Sequence, residues 1–313
     1  MTIARRIVSF LPSATEMVCM LGLEENLVGI THECDYPPSV KRKPVVVSNA
    51  IPIETMTEPE IDAAVTQRVQ TGLSVYHVDE ALLQELAPDL ILAQDLCQVC
   101  APSGNELSHA LRVLPKSPAV LRLTPRSLTG IVENIREIGQ ATGCNEAAEK
   151  WIKVSTTRFE EIAATTRRLS SRPRVFCMEW LDPLYCSGHW ISEMVKIAGG
   201  IDELSRDGTD SIRIPWNDVL AWAPEVLIVM PCGCHLEKTV ELSHKLGALP
   251  GWSDLPAVRK QQIFAVDASS YFARPGPRVV QGVELLAHLI HPEVFPWSGP
   301  ETAYRQLNIQ PVQ

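Results

Sequence analysis

Short apolar runs alternate with helical segments along most of the chain, and one such unit occurs twice. In each copy a helical stretch ends at a proline, an acidic residue follows, and a β-rich apolar run comes next. The first copy covers residues 86–94, the second covers residues 222–230, and two cysteines lie shortly after each run. Such runs are typical of strands buried in parallel sheets, and a proline disfavours helix at the residue before it. The repeat therefore predicts two similar α/β lobes.

The pattern before residue 144 predicts a parallel sheet with helices on both faces. Ser13 and Glu16 have the spacing of a capping box at the start of a helix. Thr57 and Glu60 repeat that spacing, and Asp79 is placed to cap a further helix. The apolar runs that predict strands cover residues 7–11, 27–30, 45–47 and 119–123.

A long helix is predicted between the two lobes, because residues 146–169 contain neither glycine nor proline. At about 1.5 Å per residue this helix spans roughly 35 Å, enough to bridge two lobes. Strands at 175–179 and 263–266 and helices at 189–198 and 279–290 repeat the alternation in the second lobe. The predicted boundaries are an N-terminal lobe at 1–143, a bridging helix at 144–171, a C-terminal lobe at 172–292 and a tail without a core pattern at 293–313.

Composition and charge narrow the class of protein. Hydrophobic residues make up 45% of the chain and charged residues 21%, which is typical of a globular protein. A net charge of −9 and the lack of a basic stripe argue against a nucleic-acid partner. No apolar run has the length of a membrane span, and no export signal is evident. With nine cysteines, these features predict a cytoplasmic protein with reduced thiols.

The residues that follow the predicted strands carry chemistry that simple connecting loops do not need. Loops after parallel strands are where open α/β sheets bind ligands, so we expect a ligand cleft between the lobes. Aromatic rings would cover the apolar faces of a bulky ligand, although each could instead close a lobe's core. The candidate ligand-binding residues are Pro12, Ser13, His32, Glu33, Cys34, Asp35, Gln94, Glu179, Trp180, His189, Trp190, Tyr271, Phe272, Arg274 and Arg278.

Two of these groups have specific alternatives. His32 could contact the ligand or could fix its own loop by bonding the backbone. Arg274 and Arg278 could bind an anionic group or could cap the helix that follows them. The chain contains no GxGxxG, Walker P-loop, GxSxG or HExxH motif, so nucleotide binding and the common hydrolase mechanisms have no support.

The cysteines after the two repeated strands form a candidate metal site. Cys97 and Cys100 come from the first copy, and Cys232 and Cys234 come from the second. If the two pairs converge, four thiolates could hold a zinc ion or an iron–sulfur cluster. A single CxxC is a weak signal, and small thiols are also common in protein cores.

These segments together resemble the class III substrate-binding proteins of ABC importers for vitamin B12 and iron–siderophore complexes. Within that family the chain is most similar to the subgroup described as cobalamin-binding. The resemblance implies two α/β lobes with parallel sheets, one long bridging helix and non-catalytic binding of cobalamin or another corrinoid between the lobes. It is carried by residues 7–16, 87–91 and 251–267, and for the subgroup by residues 32–37, 94–100, 179–183, 188–190, 231–233 and 271–278.

Other functional hypotheses remain open at this point. The main alternative is a cytosolic zinc or iron–sulfur protein, including an enzyme in which Glu33 and Glu179 transfer protons. A ligand sensor is a third, although the chain shows no output domain. The expected partners are the small-molecule ligand and either an ABC permease or a cytosolic corrinoid-handling protein.

Overall fold

The computed structural model describes residues 3–94, 111–112 and 114–310. The chain divides into two compact units, each built around its own sheet. The first unit comprises Met1–Pro125 and Thr129–Lys153, and the second comprises Arg126–Leu128 and Val154–Gln313. The prediction of two α/β lobes is confirmed.

The sheet of the first lobe has the order β4-β3-β2-β1-β5-β6. All neighbouring strands are parallel except β3 and β4, which pair in antiparallel fashion. The strands are β1 (Ile7–Ser9), β2 (Leu27–Thr31), β3 (Val45–Asn49), β4 (Tyr76–Val78), β5 (Leu90–Ala93) and β6 (Ala119–Arg122). The helices that begin in this part of the chain are α1 (Pro12–Met20), α2 (Glu58–Gln70), α3 (Glu80–Leu86), α4 (Leu128–Thr142) and α5 (Asn145–Thr166).

The sheet of the second lobe has the order β11-β10-β9-β7-β8, with a parallel centre and an antiparallel strand at each edge. Its strands are β7 (Val175–Leu181), β8 (Leu184–Cys186), β9 (Val226–Val229), β10 (Ile263–Val266) and β11 (Tyr304–Gln306). Its helices are α6 (Ile191–Ile197), α7 (Trp216–Trp222), α8 (Leu236–Ser243), α9 (Pro256–Arg259), α10 (Ala268–Tyr271) and α11 (Val279–Ile290).

The prediction of parallel sheets is therefore correct for the central strands and for the edge strand β6, whereas the edge strands β4, β8 and β11 are antiparallel. Strand β8 follows β7 after only two residues, and so short a connection can join only antiparallel strands. The tail at 293–313 also differs from its prediction. It supplies β11, which pairs with β10, and it buries Ala303 and Leu307.

Helix capping follows the sequence pattern in two of three cases. Thr57 and Glu60 form a capping box, and the Asp79 carboxylate accepts a hydrogen bond from Leu82 N at 2.9 Å. The predicted capping box at Ser13 is wrong. Helix α1 begins two residues earlier than that box requires, at Pro12, whose ring favours the first helical position, so Ser13 lies buried inside the first turn.

The repeated unit folds in the same way in both lobes. Arg6 O accepts a hydrogen bond from Asp89 N at 3.0 Å, and Arg174 O accepts one from Glu225 N at 2.7 Å. Each arginine also donates through Nε to a backbone carbonyl at the end of a helix. This carbonyl is that of Leu86, at the end of the helix before β5, in the first lobe, and that of Ala223, at the end of the helix before β9, in the second. Equivalent contacts thus fix the first residues of β5 next to β1 and those of β9 next to β7.

The long helix predicted at 146–169 is present as α5 at Asn145–Thr166, and the division between the two units falls within it, after Lys153. Within the described ranges, no helix combines the length and the apolar character that a membrane crossing requires.

Candidate functional site

In the second lobe, hydrogen bonds bring together the segments that follow three neighbouring strands. Cys232 N, after β9, donates to Glu179 O in β7 at 3.0 Å. Ser269 N, after β10, donates to Cys234 O at 3.0 Å. Residues that are far apart in the sequence therefore lie along one edge of this sheet, as the positions of the strand ends predict.

The Glu179 side chain is half-buried and held by two donors from nearby loops. Gly188 N donates to Oε2 at 3.3 Å, and Ser211 Oγ donates to Oε1 at 3.4 Å. Burial raises the pKa of Glu179 to about 7, with a smaller contribution from the Asp210 charge, and the two hydrogen bonds oppose that rise. The carboxyl group is thus fixed in direction and keeps further acceptor capacity on each oxygen.

His189 follows Gly188 in the chain and has a left-handed backbone conformation, with φ of 52°. Its Nε2 lies 3.0 Å from Asp210 Oδ1, and Asp210 also pairs with Arg126 at 3.5 Å. Burial lowers the pKa of His189 although the bond to Asp210 opposes that change. Gly188 permits the arrangement, since an added Cβ would lie only 2.5 Å from Ser211 N.

The aromatic residues of the candidate site differ in exposure. Trp190 and Phe272 are buried, and Trp190 Nε1 donates to Phe272 O at 3.0 Å. Tyr271 is also buried, and the Arg278 guanidinium carbon lies 6.0 Å from the centre of its ring. Trp180 keeps a partly exposed ring and donates to Asp182 O at 3.2 Å. Three of the four candidate rings are buried, which matches the alternative in which they close the lobe's core. Among these four, Trp180 is the ring that a ligand could contact from solvent.

The candidate cysteines fall into two groups. Cys97 and Cys100 lie outside the described residues, while Cys232 is exposed and Cys234 is half-buried. Across residues 3–94, 111–112 and 114–310, no group of three or more His, Cys, Asp and Glu side chains is arranged to hold a metal ion. The described part of the chain therefore gives no support for the zinc or iron–sulfur site.

A histidine–aspartate pair at this edge was not predicted. His235 Nδ1 lies 3.0 Å from Asp267 Oδ1, and Asp267 also accepts hydrogen bonds from Ser270 N and Oγ. Burial would raise the pKa of Asp267, but these hydrogen bonds outweigh it and hold the pKa below its usual range. Asp267 directly follows β10, and His235 lies six residues after the end of β9, a position after a predicted strand that the sequence already marked.

In the first lobe, His32 follows β2 directly and its imidazole is oriented by the backbone. Nδ1 lies 3.2 Å from Val47 O and 3.2 Å from Thr31 Oγ1. A carbonyl oxygen can only accept, so Nδ1 carries the proton in the neutral ring and Nε2 keeps its lone pair. Nε2 is buried and has no hydrogen-bond partner within the part of the chain that the structure describes.

The other first-lobe candidates follow β1, β2 and β5, which are adjacent in the sheet. Cys34 is buried, and its Sγ lies 3.0 Å from Thr15 Oγ1 of α1. Glu33 is exposed and Asp35 is half-buried. Pro12 and Ser13 are buried in the first turn of α1, and Gln94 is buried directly after β5. The parallel strands bring these positions to one edge of the sheet, the same edge at which His32 lies. A ligand site at this edge could therefore include them together with His32.

The remaining candidates, Arg274 and Arg278, lie in the turn between α10 and α11. Gly276 N donates to Arg274 O at 2.8 Å, and Arg278 immediately precedes Val279, where α11 begins. Both side chains are half-buried. Their positions are compatible with either capping of the helix or contact with an anionic group.

This arrangement of two α/β lobes with polar strand-end segments defines a class of binding protein. Residues 7–269 match the family described as Periplasmic binding protein, and the match covers most of the chain. The chain belongs to that family.

Individual relatives are similar over nearly the whole chain. The ABC transporter substrate-binding lipoprotein YvrC of Bacillus subtilis strain 168, described as uncharacterized, is 25% identical over 299 residues, which cover 93% of this chain and 81% of YvrC. A vitamin B12-binding protein of Vibrio cholerae serotype O1 is 24% identical over 285 residues, which cover 90% of this chain and 87% of the relative.

A solved structure shows the same fold. The periplasmic heme-binding protein RhuT of Roseiflexus sp. RS-1, in its apo form, aligns with a TM-score of 0.69 at 22% identity, covering 92% of this chain and 98% of that chain. Similarity at this level establishes the fold alone, and the ligand has to be argued from this chain's own residues.

Proposed function

We propose that this protein is a non-catalytic binding protein for a corrinoid, either cobalamin or a closely related compound. The observation that carries the proposal is the buried Nε2 of His32 at a strand end of the first lobe, which has no hydrogen-bond partner among the described residues. Membership of the periplasmic binding protein family and similarity to a vitamin B12-binding protein support it.

The geometry of His32 suits a metal ligand. The bond between Nδ1 and Val47 O fixes the orientation of the ring and leaves the Nε2 lone pair available. A buried polar atom without a partner costs about 1–3 kcal/mol. Coordination to the cobalt of a corrinoid would remove that cost, because cobalt accepts an imidazole nitrogen. Since Nε2 is buried, such coordination requires the groups that cover it to move aside.

A titration with hydroxocobalamin tests the proposal. We expect the absorption bands of the corrinoid to shift on addition of the wild-type protein and to saturate at one equivalent, because an axial ligand of cobalt is replaced. The shift should be lost in His32→Ala. His77→Ala is the matched control, because His77 is exposed on β4 of the same lobe, and it should behave as wild type.

A parallel titration with hemin distinguishes a corrinoid from heme, the two types of ligand that the names of the similar proteins include. An unchanged corrinoid spectrum without heat of binding would refute the corrinoid assignment, and a saturable shift of the hemin spectrum alone would assign the site to heme instead. Metal analysis of protein purified without oxygen tests the zinc or iron–sulfur alternative, which requires stoichiometric metal.

The partner follows from the same proposal. Because YvrC is named as an ABC transporter substrate-binding lipoprotein, we propose an ABC permease as the partner of this protein. Stimulation of the ATPase activity of a reconstituted permease by the loaded protein would support this partner. The cytoplasmic location stays a prediction, and fractionation of cells that express the full-length gene tests it.

A further inference from the structure

The Glu179 carboxyl group is placed where a ligand of the second lobe would meet it. Glu179 lies near the carboxyl end of β7, and its backbone oxygen binds Cys232 N in the segment after β9. This edge of an α/β sheet is the usual position of a ligand site. The side chain is half-buried, so a ligand that covers the edge would remove it from water.

The orientation of the carboxyl group makes it an acceptor for ligand N–H groups. Gly188 N and Ser211 Oγ occupy one acceptor position on each oxygen, and each oxygen has a second lone pair. A primary amide can donate to such an oxygen. An ionised carboxylate has no proton to donate and would place a second negative charge against the first.

The surrounding charges strengthen this distinction. Asp210 immediately precedes Ser211 on the same loop, and it contributes a second negative charge near Glu179. Arg126, which pairs with Asp210 at 3.5 Å, is half exposed. Arg274 and Arg278 follow β10, which β9 separates from β7 in the sheet order. An anionic group of the ligand is therefore favoured on the β10 side of the edge and disfavoured beside Glu179.

We infer that Glu179 is a specificity-determining residue that selects ligands with an amide-bearing edge over ligands with a carboxylate-bearing edge. The inference rests on the proposed corrinoid function. Natural corrinoids carry primary amides around the ring, whereas heme carries two propionates. Specificity of this kind depends on repulsion of the wrong ligand as well as attraction of the right one.

Two corrinoids that differ only at the ring edge test the inference. Cobinamide carries amides, and cobyrinic acid carries carboxylates on the same ring and cobalt. Both are prepared in the same axial form and titrated calorimetrically at about pH 8, above the pKa of Glu179. We expect the wild-type protein to bind cobinamide at least about tenfold more tightly. This comparison needs no substitution, so it does not depend on whether a variant folds.

The variant Glu179→Gln then assigns the preference to one side chain. A glutamine can bond both Gly188 N and Ser211 Oγ, so we expect it to fold and to keep its affinity for cobinamide. It should bind cobyrinic acid more tightly, reducing the preference to less than about threefold. Glu203→Gln is the control, because Glu203 is exposed in the same lobe, and it should keep the wild-type preference.

The outcomes separate this inference from the proposed function. If the wild-type protein binds both compounds equally, or if Glu179→Gln keeps the full preference, the role of Glu179 is refuted while corrinoid binding stands. If the wild-type protein binds neither compound, the proposed function fails and the inference fails with it.

Discussion

Ala87 and Ala223 end equivalent helices in the two lobes with the same left-handed backbone. Their φ and ψ angles are 40° and 62° for Ala87 and 48° and 63° for Ala223. In both cases a proline follows, and a buried central strand begins two residues further on. The left-handed region is unfavourable for a residue with a Cβ, and it is the conformation that glycine usually supplies at the end of a helix.

This shared conformation gives a prediction about stability. Replacing Ala87 or Ala223 by glycine removes the Cβ strain, and we expect each variant to be more stable by about 0.5–1 kcal/mol. Ala63→Gly, at an exposed position inside α2, should instead destabilise by about 1 kcal/mol. Urea unfolding measures all three. A loss of stability in both end-of-helix variants would show that the left-handed strain is not significant.

Two half-buried carboxyl groups predict how stability depends on pH. Burial raises the pKa of both Glu179 and Asp202 to about 7, well above the ordinary carboxyl range. The folded state therefore binds these protons more tightly than the unfolded state, and stability falls as pH rises from about 4 to about 7. The maximum slope is about 1.4 kcal/mol per pH unit for each group. Burial lowers the pKa of His189, so this group makes stability rise with pH and opposes the trend. It is one group against two carboxyl groups, so we expect the carboxyl groups to determine the direction.

Unfolding of the protein between about pH 5 and pH 8 checks this prediction. We expect the free energy of unfolding to decrease over this interval in the wild-type protein. In the double variant Glu179→Gln and Asp202→Asn the sign should reverse, because the opposing contribution of His189 then remains. Glu203→Gln should keep the wild-type slope. A wild-type protein whose stability rises steadily from pH 5 to pH 8 would contradict the assigned direction.

The buried hydrogen bond from Trp190 to Phe272 should contribute measurably to the second lobe. Trp190→Phe leaves Phe272 O without its donor in a buried environment, so we expect a loss of about 1–3 kcal/mol. The same replacement at Trp180 removes a bond to Asp182 O near the surface and should cost less than about 1 kcal/mol. Urea unfolding compares the two variants, and equal losses would show that the bond itself has little effect.

The central strands and the helix at 279–290 could be predicted from the sequence because buried apolar runs and helical periodicity leave strong signals. Three of the four edge strands, β4, β8 and β11, were missed. Each has only three residues and is partly exposed, so its hydrophobic signal is short and mixed. Their antiparallel direction depends on connections and pairing partners that periodicity does not reveal.

The candidate site shows the same division between local and distant information. Glu179 and His189 could be found because they follow a predicted strand. Their partners, Ser211 and Asp210, lie in an irregular loop more than twenty residues away in sequence, where no local pattern marks them. The orphaned Nε2 of His32 also depends on the position of Val47 O, which only the pairing of β2 with β3 determines.

Electron paramagnetic resonance of the cob(II)inamide complex tests the central claim most directly. Cob(II)inamide has no nitrogenous base of its own, so axial coordination by His32 would add splitting from one nitrogen to the cobalt lines. We predict that the wild-type protein produces this triplet splitting, that His77→Ala retains it, and that His32→Ala abolishes it. A spectrum that does not change when the wild-type protein is added, or a splitting that persists in His32→Ala, would contradict the account.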